Sequence, residues 1–344
     1  MITAHQHGDR LSSTSVDVSV IVPCYNAERW IREALTSALS QAGVSVEVIV
    51  VDDGSTDASA RIVAADFPTV RLIATPNGGP SRARNIGTQA AQGAFIQYLD
   101  ADDWLPEGKL AAQTAALHET GADIAYGDWQ HVFERAEGAK QSGPVIVRTL
   151  SSDAEAALFT GDFWCPIHSY LYRRSIIAQT KGFNEGLPVI QDARFTLDCA
   201  LHGARFVRVP GHITQYRMHS TDQNSRRSQL RFTRDVLTNA TEIDALWSAD
   251  GPLSIVRRAA LIKGYEFVAR SSFASDKAMF EAAYSRLEQL SPRYVPSGPR
   301  TLALLTRLVG YRRAEALALR YRQGKAMLRA TVARLARAPQ ATRL

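Results

Sequence analysis

Apolar residues fall in short, regularly spaced runs along the first hundred positions, each closed by turn-forming or acidic residues. Val18 to Val22 is stopped by Pro23, and Val46 to Val51 runs into Asp52-Asp-Gly-Ser-Thr-Asp57. Val70 to Ala74 is shorter, and Ala94 to Leu99 ends abruptly at Asp100. Runs of this length, rich in β-branched and aromatic residues, predict buried strands. Between them the apolar period lengthens. Ile31, Leu35, Ala38 and Leu39 recur at helical spacing behind Asn26 as the expected N-cap, and further helices are expected through Ile62 and Val63 and over Ser81 to Ala91. Strands alternating with such helices predict βαβ units and an α/β fold with a mostly parallel sheet flanked by helices.

The order loosens after Trp104. Helices are expected over Lys109 to Glu119, Asp153 to Phe159 and Asp192 to His202. Strands are expected over Asp123 to Gly127, Ser169 to Tyr172, Arg205 to Val209 and His212 to Arg217, with an irregular or antiparallel excursion over 128–150. From Gln229 onward strand signals stop, and an Ala-, Leu- and Arg-rich helical stretch is broken at Gly251-Pro252 and from Ser291 to Pro299. The expected organisation is a polar, disordered leader over 1–16, an α/β domain over 17–225 and a C-terminal helical extension over 226–344.

Charge sharpens this division. The 344 residues carry a net +6, yet residues 300–344 hold eleven Lys or Arg against the single acid Glu315, so this segment is +10 and the rest of the chain −4. On a helical wheel from Arg312, Leu317, Tyr321, Leu328, Val332 and Leu335 form one stripe. Arg312, Arg313, Arg320, Arg322, Arg329, Arg334 and Arg337 surround it. A basic amphipathic helix suits an anionic membrane surface; the same stripe could equally pack on the protein's own α/β domain. It lacks the interleaved aromatics of a base-stacking surface, so nucleic acid is not an expected partner. Cys24, Cys165 and Cys199 are an odd set without metal-ligand spacing, fitting free thiols in a reducing compartment, with Cys24 an inert apolar filler. No secretory h-region and no apolar run near the roughly 18 residues of a spanning helix is present. The expected location is the cytoplasm, peripherally on the inner face of the membrane if the tail docks there.

In a parallel sheet, ligands bind beyond the carboxyl ends of the strands. Asp100, Asp102 and Asp103 crowd such an end and repel one another unless positive charge sits among them. A hard divalent cation, Mg²⁺ or Mn²⁺, would supply it; a helix N-terminus near Pro106 is the plainer alternative. Tyr25 offers a ring for a base, and Asp53 an acceptor for a ring N–H. The chain has neither a G-x-G-x-x-G turn nor a P-loop at these strand ends, against dinucleotide enzymes and P-loop NTPases.

Val20-Ile-Val-Pro-Cys-Tyr-Asn26, Val50-Val-Asp-Asp-Gly-Ser-Thr-Asp57, Asn77-Gly-Gly-Pro-Ser-Arg-Ala-Arg-Asn-Ile-Gly87 and Tyr98-Leu-Asp-Ala-Asp-Asp103 occur in that order. Together they resemble the successive motifs of family 2 glycosyltransferases, inverting nucleotide-sugar enzymes of the GT-A fold. Gly182-Phe-Asn-Glu-Gly-Leu-Pro188, Gln191-Asp192 and Tyr216-Arg-Met-His219 are similar to the family's acceptor-side motifs, so the likeness spans about 17–225. It implies a nucleotide half to about residue 104 and an acceptor half over about 105–225. It also implies a metal-dependent, inverting glycosyltransferase that moves a sugar from a nucleoside-diphosphate sugar to a hydroxyl of a glycan or lipid-linked acceptor, in surface polysaccharide assembly. By the same resemblance Pro23, Tyr25, Asn26 and Asp53 hold the nucleoside, and Asp100 lies on the ribose side. Asp102, the direct ligand of the D-x-D motif, and His219 reach the metal, and Asp192 is the catalytic base. Arg84 is set to meet phosphate or base. The family's usual Glu-Asp pair is here Gln191-Asp192, so the acceptor pocket loses one charge.

Plainer roles stand beside these. Asp192 and Asp57 can be helix caps, Arg82 and Arg84 can solvate a helix face, His219 can be a surface histidine, and Trp104 and Trp164 can be packing residues. A sugar-nucleotide nucleotidyltransferase, or a non-catalytic nucleotide-sugar-binding module, would use a similar scaffold. The first usually begins with a Gly-rich basic loop that Pro23 to Arg29 does not offer, and intact Asp53, Asp102 and Asp192 argue against the second.

Overall fold

A computed structural model describes residues 16–134, 139–218, 229–249 and 251–336, without the side chains at 326, 328 and 330–336. The chain divides into two compact units, Met1–Arg227 and Ser228–Leu344.

The first unit is built on β1 (Val18–Cys24), β2 (Val46–Asp52), β3 (Arg71–Ala74), β4 (Phe95–Tyr98), β5 (Ile124–Tyr126), β6 (Trp129–Glu134), β7 (Lys140–Ile146), β8 (Tyr170–Arg173), β9 (Phe206–Arg208) and β10 (Thr214–Met218). Helices α1 (Ile31–Leu39), α2 (Ser59–Asp66), α3 (Pro80–Ala90), α4 (Lys109–Thr120), α5 (Ala154–Thr160), α6 (Arg174–Ile177) and α7 (Gln191–Leu201) connect them. Seven strands form one sheet in the order β3-β2-β1-β4-β8-β5-β9, and β8 alone runs against its neighbours. β1 is buried on both faces, Val18, Val20 and Val22 on one and Ile21 on the other, which is why it reads as a continuous apolar run. Each such side chain contributes about 1.5–3 kcal/mol by leaving water. α3 lies close over this sheet, because a Cβ at Gly87 would collide with Ile21.

The loops after β1 and β2 are joined residue by residue. Ser55 Oγ accepts the Asn26 N–H at 3.0 Å, Ser59 Oγ accepts that of Ala27 at 2.8 Å, and Asp57 accepts that of Glu28 at 3.0 Å. The expected Asn26 cap is therefore not formed. α1 begins at Ile31 without a side-chain cap, and Asn26, at φ 50°, accepts the Thr56 N–H through Oδ1 at 2.8 Å. The interloop bond competes for the same amide oxygen, and here it wins.

The excursion expected over 128–150 is a hairpin, β6 and β7 antiparallel, with β10 parallel to β6 to complete a three-stranded sheet. One of its faces carries Arg217, 1% exposed, which pairs with Glu33 at 2.6 Å and Glu134 at 3.5 Å and lies 4.7 Å over the Trp104 ring. Trp104 is thus a packing residue. Loss of Arg217 would empty a buried site and remove the central cation of this network, although Glu33 keeps Lys140 and Glu134 keeps Arg29. Arg217→Ala should therefore lower unfolding free energy by about 3 kcal/mol in urea denaturation; a loss below about 1 kcal/mol would mean the network is solvated and weak.

The second unit, as described, is helical: α8 (Gln229–Ala249), α9 (Ile255–Ser272), α10 (Lys277–Leu290), α11 (Arg300–Val309) and α12 (Tyr311–Ala336). Asp244 of α8 binds Tyr265 of α9 at 3.0 Å and Arg286 of α10 at 2.6 Å. Burial pushes its pKa upward, but these partners outweigh that and hold it below the usual carboxylate range. The start of α12 packs inward: Tyr311 stacks on Tyr284, and Glu315 is fully buried beside Arg270 and Arg322. Among the described residues no helix is long and apolar enough to cross a membrane. The three cysteines are buried free thiols, and burial raises Cys24 and Cys165 to about 12.

Candidate active site

At the end of β2, Asp52 and Asp53 are 5% and 3% exposed. Asp53 holds the loop before α3: Oδ1 accepts the Gly78 N–H and Oδ2 that of Gly79, each at 2.8 Å. Gly54 beside it has φ 75°, the left-handed turn that lets the strand end fold back. Each carboxylate oxygen has a second lone pair, so Asp53 can still accept from a ligand. Its neighbour was not singled out in the sequence: Asp52 Oδ1 is buried without a hydrogen-bond partner, an unmet acceptor in the same corner. Tyr25, 52% exposed, follows the half-buried Pro23 and the buried Cys24 at the end of β1.

Arg84 is not on a solvated face. It is 4% exposed, its Nη2 donates to Asp100 Oδ1 at 2.5 Å, and its guanidinium lies 5.3 Å over the Phe183 ring. Nε and Nη1 are left without partners, two donors beside the acidic turn. Arg82, by contrast, is half-buried and reaches the Pro76 carbonyl at 3.4 Å.

Asp192 is not a cap. It sits inside the first turn of α7, behind Ile190 at the cap position, and its Oδ1 accepts the Ala193 N–H at 2.8 Å. Desolvation raises its pKa above the usual value and Asp100 adds to this, against Arg84 and the Ala193 N–H. Beside it the buried Gln191 accepts from Ser81 Oγ at 2.5 Å, tying the start of α7 to the start of α3 across 110 positions. Gln191 therefore joins two helices, a task a neutral amide performs without burying charge.

The acidic turn has an exposed and a sealed part. Asp100 is 32% exposed and Asp102 half-buried, whereas Asp103 is 1% exposed and its Oδ1 accepts the Arg217 N–H at 2.7 Å. His168, fully buried, was missed in the sequence because nothing in its spacing links it to a residue 65 positions earlier. Its Nε2 donates to the Gln215 carbonyl at 3.0 Å, which leaves the Nδ1 lone pair 3.3 Å from Asp103 Oδ2. Two acceptors so close need positive charge between them. Burial holds His168 neutral, its pKa down to about 4, and pushes Asp103 well up, so a proton on Asp103 meets the need; so would a cation. Ligand atoms of Asp100, Asp103 and His168 lie within 4.8 Å of one another, a nitrogen and oxygen set suited to a divalent ion. Asp102 is outside that cluster, and His219 lies outside the described residues. Tyr216 closes the corner, its ring centre 6.3 Å from that of His168; burial and then Asp103, Asp100, Asp192 and Asp102 raise its phenol pKa.

The family profile described as Glycosyl transferase family 2 matches residues 19–180. Succinoglycan biosynthesis protein ExoO of Rhizobium meliloti is 47% identical over 111 residues, 32% of each chain. An uncharacterized glycosyltransferase of Bacillus subtilis, EpsJ, is 30% identical over 210 residues, 58% of this chain and 60% of its own. An uncharacterized glycosyltransferase of Haemophilus influenzae is 38% identical over 116 residues, 33% of this chain and 46% of its own. The chain thus spans less than two thirds of these curated relatives. Among solved structures, S. aureus TarS 1-349 in complex with UDP-GlcNAc superposes with a TM-score of 0.65 at 22% identity, over 90% of this chain and 92% of that one. The matched segment, just under half of the chain, carries β1, β2, α3 and the acidic turn of the first unit; over it the chain is similar to glycosyl transferase family 2, and its fold is that of GT-A glycosyltransferases.

Proposed function

We propose that this protein transfers a sugar from a nucleoside-diphosphate sugar to a hydroxyl of a glycan or lipid-linked acceptor, with inversion, in polysaccharide assembly. The observation that carries the reading is the meeting of Asp192, Arg84 and Asp100 in one corner, drawn together by the Ser81–Gln191 bond. Pro23, Tyr25, Asn26 and Asp53 line the nucleoside end, with Asn26 shaping the turn through Thr56. Arg84 keeps two unpartnered donors for a phosphate or base, and Asp100 orients that guanidinium.

In the reaction the acceptor oxygen attacks the anomeric carbon as the bond to the diphosphate breaks, and the acceptor's proton passes to Asp192. A divalent cation, Mg²⁺ or Mn²⁺, when bound, offsets the charge of the leaving diphosphate. The crowded carboxylates fit such an ion. Asp102 and His219 would hold it, with Asp100 alongside, while the sealed Asp103–His168 pair fixes the turn. TarS has been solved with UDP-GlcNAc, so UDP donors come first in the test. Thermal unfolding should rise with UDP, GDP, CDP or dTDP sugars in the presence of Mn²⁺, by about 2.7 kcal/mol at a hundredfold excess over Kd. A chain that none of the four stabilises is not a nucleotide-sugar enzyme.

The basic tail suits an anionic membrane. In α11, Leu304 and Leu308 are 58% and 72% exposed, and in α12 Leu317 and Tyr321 are 45% and 70% exposed, among Arg300, Arg307, Arg313, Arg320 and Arg322. Leu328, Val332 and Leu335, the rest of the expected stripe, have side chains outside the description. Each basic residue adds about 1 kcal/mol near an anionic leaflet. The full chain should sediment with phosphatidylserine vesicles at low salt and be released at high salt. Leu308→Glu with Tyr321→Glu should abolish sedimentation while leaving thermal stability unchanged; salt-insensitive binding, or none, would refute membrane docking.

A further inference from the structure

The three-stranded sheet has a second face, opposite Arg217, that the proposed chemistry does not use. Trp129, His131 and Phe133 alternate along β6, and the register of β10 sets Tyr216 beside His131. Period-two alternation puts all four on one side. Tyr216 and His131 have ring centres 5.7 Å apart, and His131 and Phe133 6.0 Å. Trp164, from the loop before β8, stands 6.0 Å from Tyr216 and 5.2 Å edge-on to Trp129. Trp129 is buried, Trp164, Tyr216 and His131 are half-buried, and Phe133 is 46% exposed.

We propose that this face is a carbohydrate platform, on which a neutral acceptor glycan lies with successive sugar rings packed against Tyr216 with Trp164, then His131, then Phe133. The proposal rests on the sugar-transfer reading and deepens it. Continuity favours a glycan. The strip starts at Tyr216, whose ring centre lies 6.3 Å from that of His168, itself against Asp103 of the acidic turn, and steps outward to the exposed end of β6. An acceptor whose terminal hydroxyl lies at the base must send its remaining sugars along some such path. The rings suit this ligand: their faces bury the C–H face of a pyranose, and indole and phenol edges can meet its hydroxyls. An acyl chain would leave the Trp164 indole and Tyr216 phenol edges unmatched. The packing role expected for Trp164 holds for its edge against Trp129, while its accessible part extends the strip.

Affinity electrophoresis of the full chain through gels holding soluble starch, barley β-glucan, galactomannan or xylan tests this, with UDP binding measured separately by calorimetry. The expected result is retardation by at least one of these glycans. Phe133→Ser and Trp164→Ala should weaken it about tenfold each, the scale of one lost aromatic contact, with UDP affinity unchanged. Phe133 is exposed enough for its replacement to spare the fold, and Trp164→Phe should restore part of the retardation. No retardation of the wild type by any of the four, or retardation unchanged in both variants, overturns the platform. Absence of UDP, GDP, CDP and dTDP binding in the wild type would instead overturn the sugar-transfer reading, whatever the gels show.

Discussion

Asp102→Ala is expected to abolish sugar transfer, and excess EDTA should do the same to the unaltered enzyme. The acidic turn gathers Asp100, Asp102 and Asp103, and a diphosphate leaving there would add its charge to theirs, with Arg84 the cation that keeps unpartnered donors. Losing the counterion of a departing phosphate removes several kcal/mol of transition-state stabilisation, at least about 10³-fold in turnover. Asp102 is half-buried and its backbone carbonyl already accepts from Arg217 Nε at 2.5 Å, so the turn should survive loss of the carboxylate. Circular dichroism and a radiolabelled-sugar transfer assay separate the two effects. Full turnover in excess EDTA would show that no cation takes part, and that the carboxylates serve the turn and the Arg84 pair alone.

Asp192→Asn should lower kcat by about 10²–10⁴, the usual effect of removing a general base, with little change in donor affinity. The amide keeps the shape, and its Oδ1 can still accept the Ala193 N–H. The wild-type pH profile adds a second reading. A base works deprotonated, and burial raises the pKa of Asp192 above the ordinary aspartate value. Turnover should therefore fall as pH drops through that raised value, at higher pH than for an exposed aspartate, and the variant should lack that limb. Weakened donor binding with intact kcat would move Asp192 from the acceptor to the donor side.

The first hundred residues were legible because each strand and helix there is specified by its own neighbours. β1 and β2 bury both faces, so their apolar runs stand out, and the Pro23, Asp52 and Asp100 breaks mark where loops must leave the sheet. The D-x-D turn and Asp53 stood out as acidic residues at strand ends, whereas Gln191-Asp192 was singled out through its resemblance to a family motif. The helical C-terminal unit was legible from the loss of period-two patterning after Gln229. Cap assignment at Asn26 and Asp192 went the other way. A side-chain oxygen bonds whichever N–H the fold brings nearest, and at Asn26 that donor is Thr56, 30 positions on.

What only the tertiary structure decided are the long-range partnerships. For Arg84 sequence leaves a contact to phosphate or base beside a solvated helix face, and it is the fold that encloses it between Asp100 and Phe183. His168 carries no signal until a turn sets it against Asp103, and Gln191 reads as a lost acceptor charge until Ser81 claims it. The aromatic face of β6 and β10 depends on a parallel register between strands 85 positions apart. Sequence records how a residue's neighbours repeat, and so determines elements and local motifs. Which buried donor meets which acceptor follows from chain segments packing to exclude water, and that choice is made only once the fold is complete.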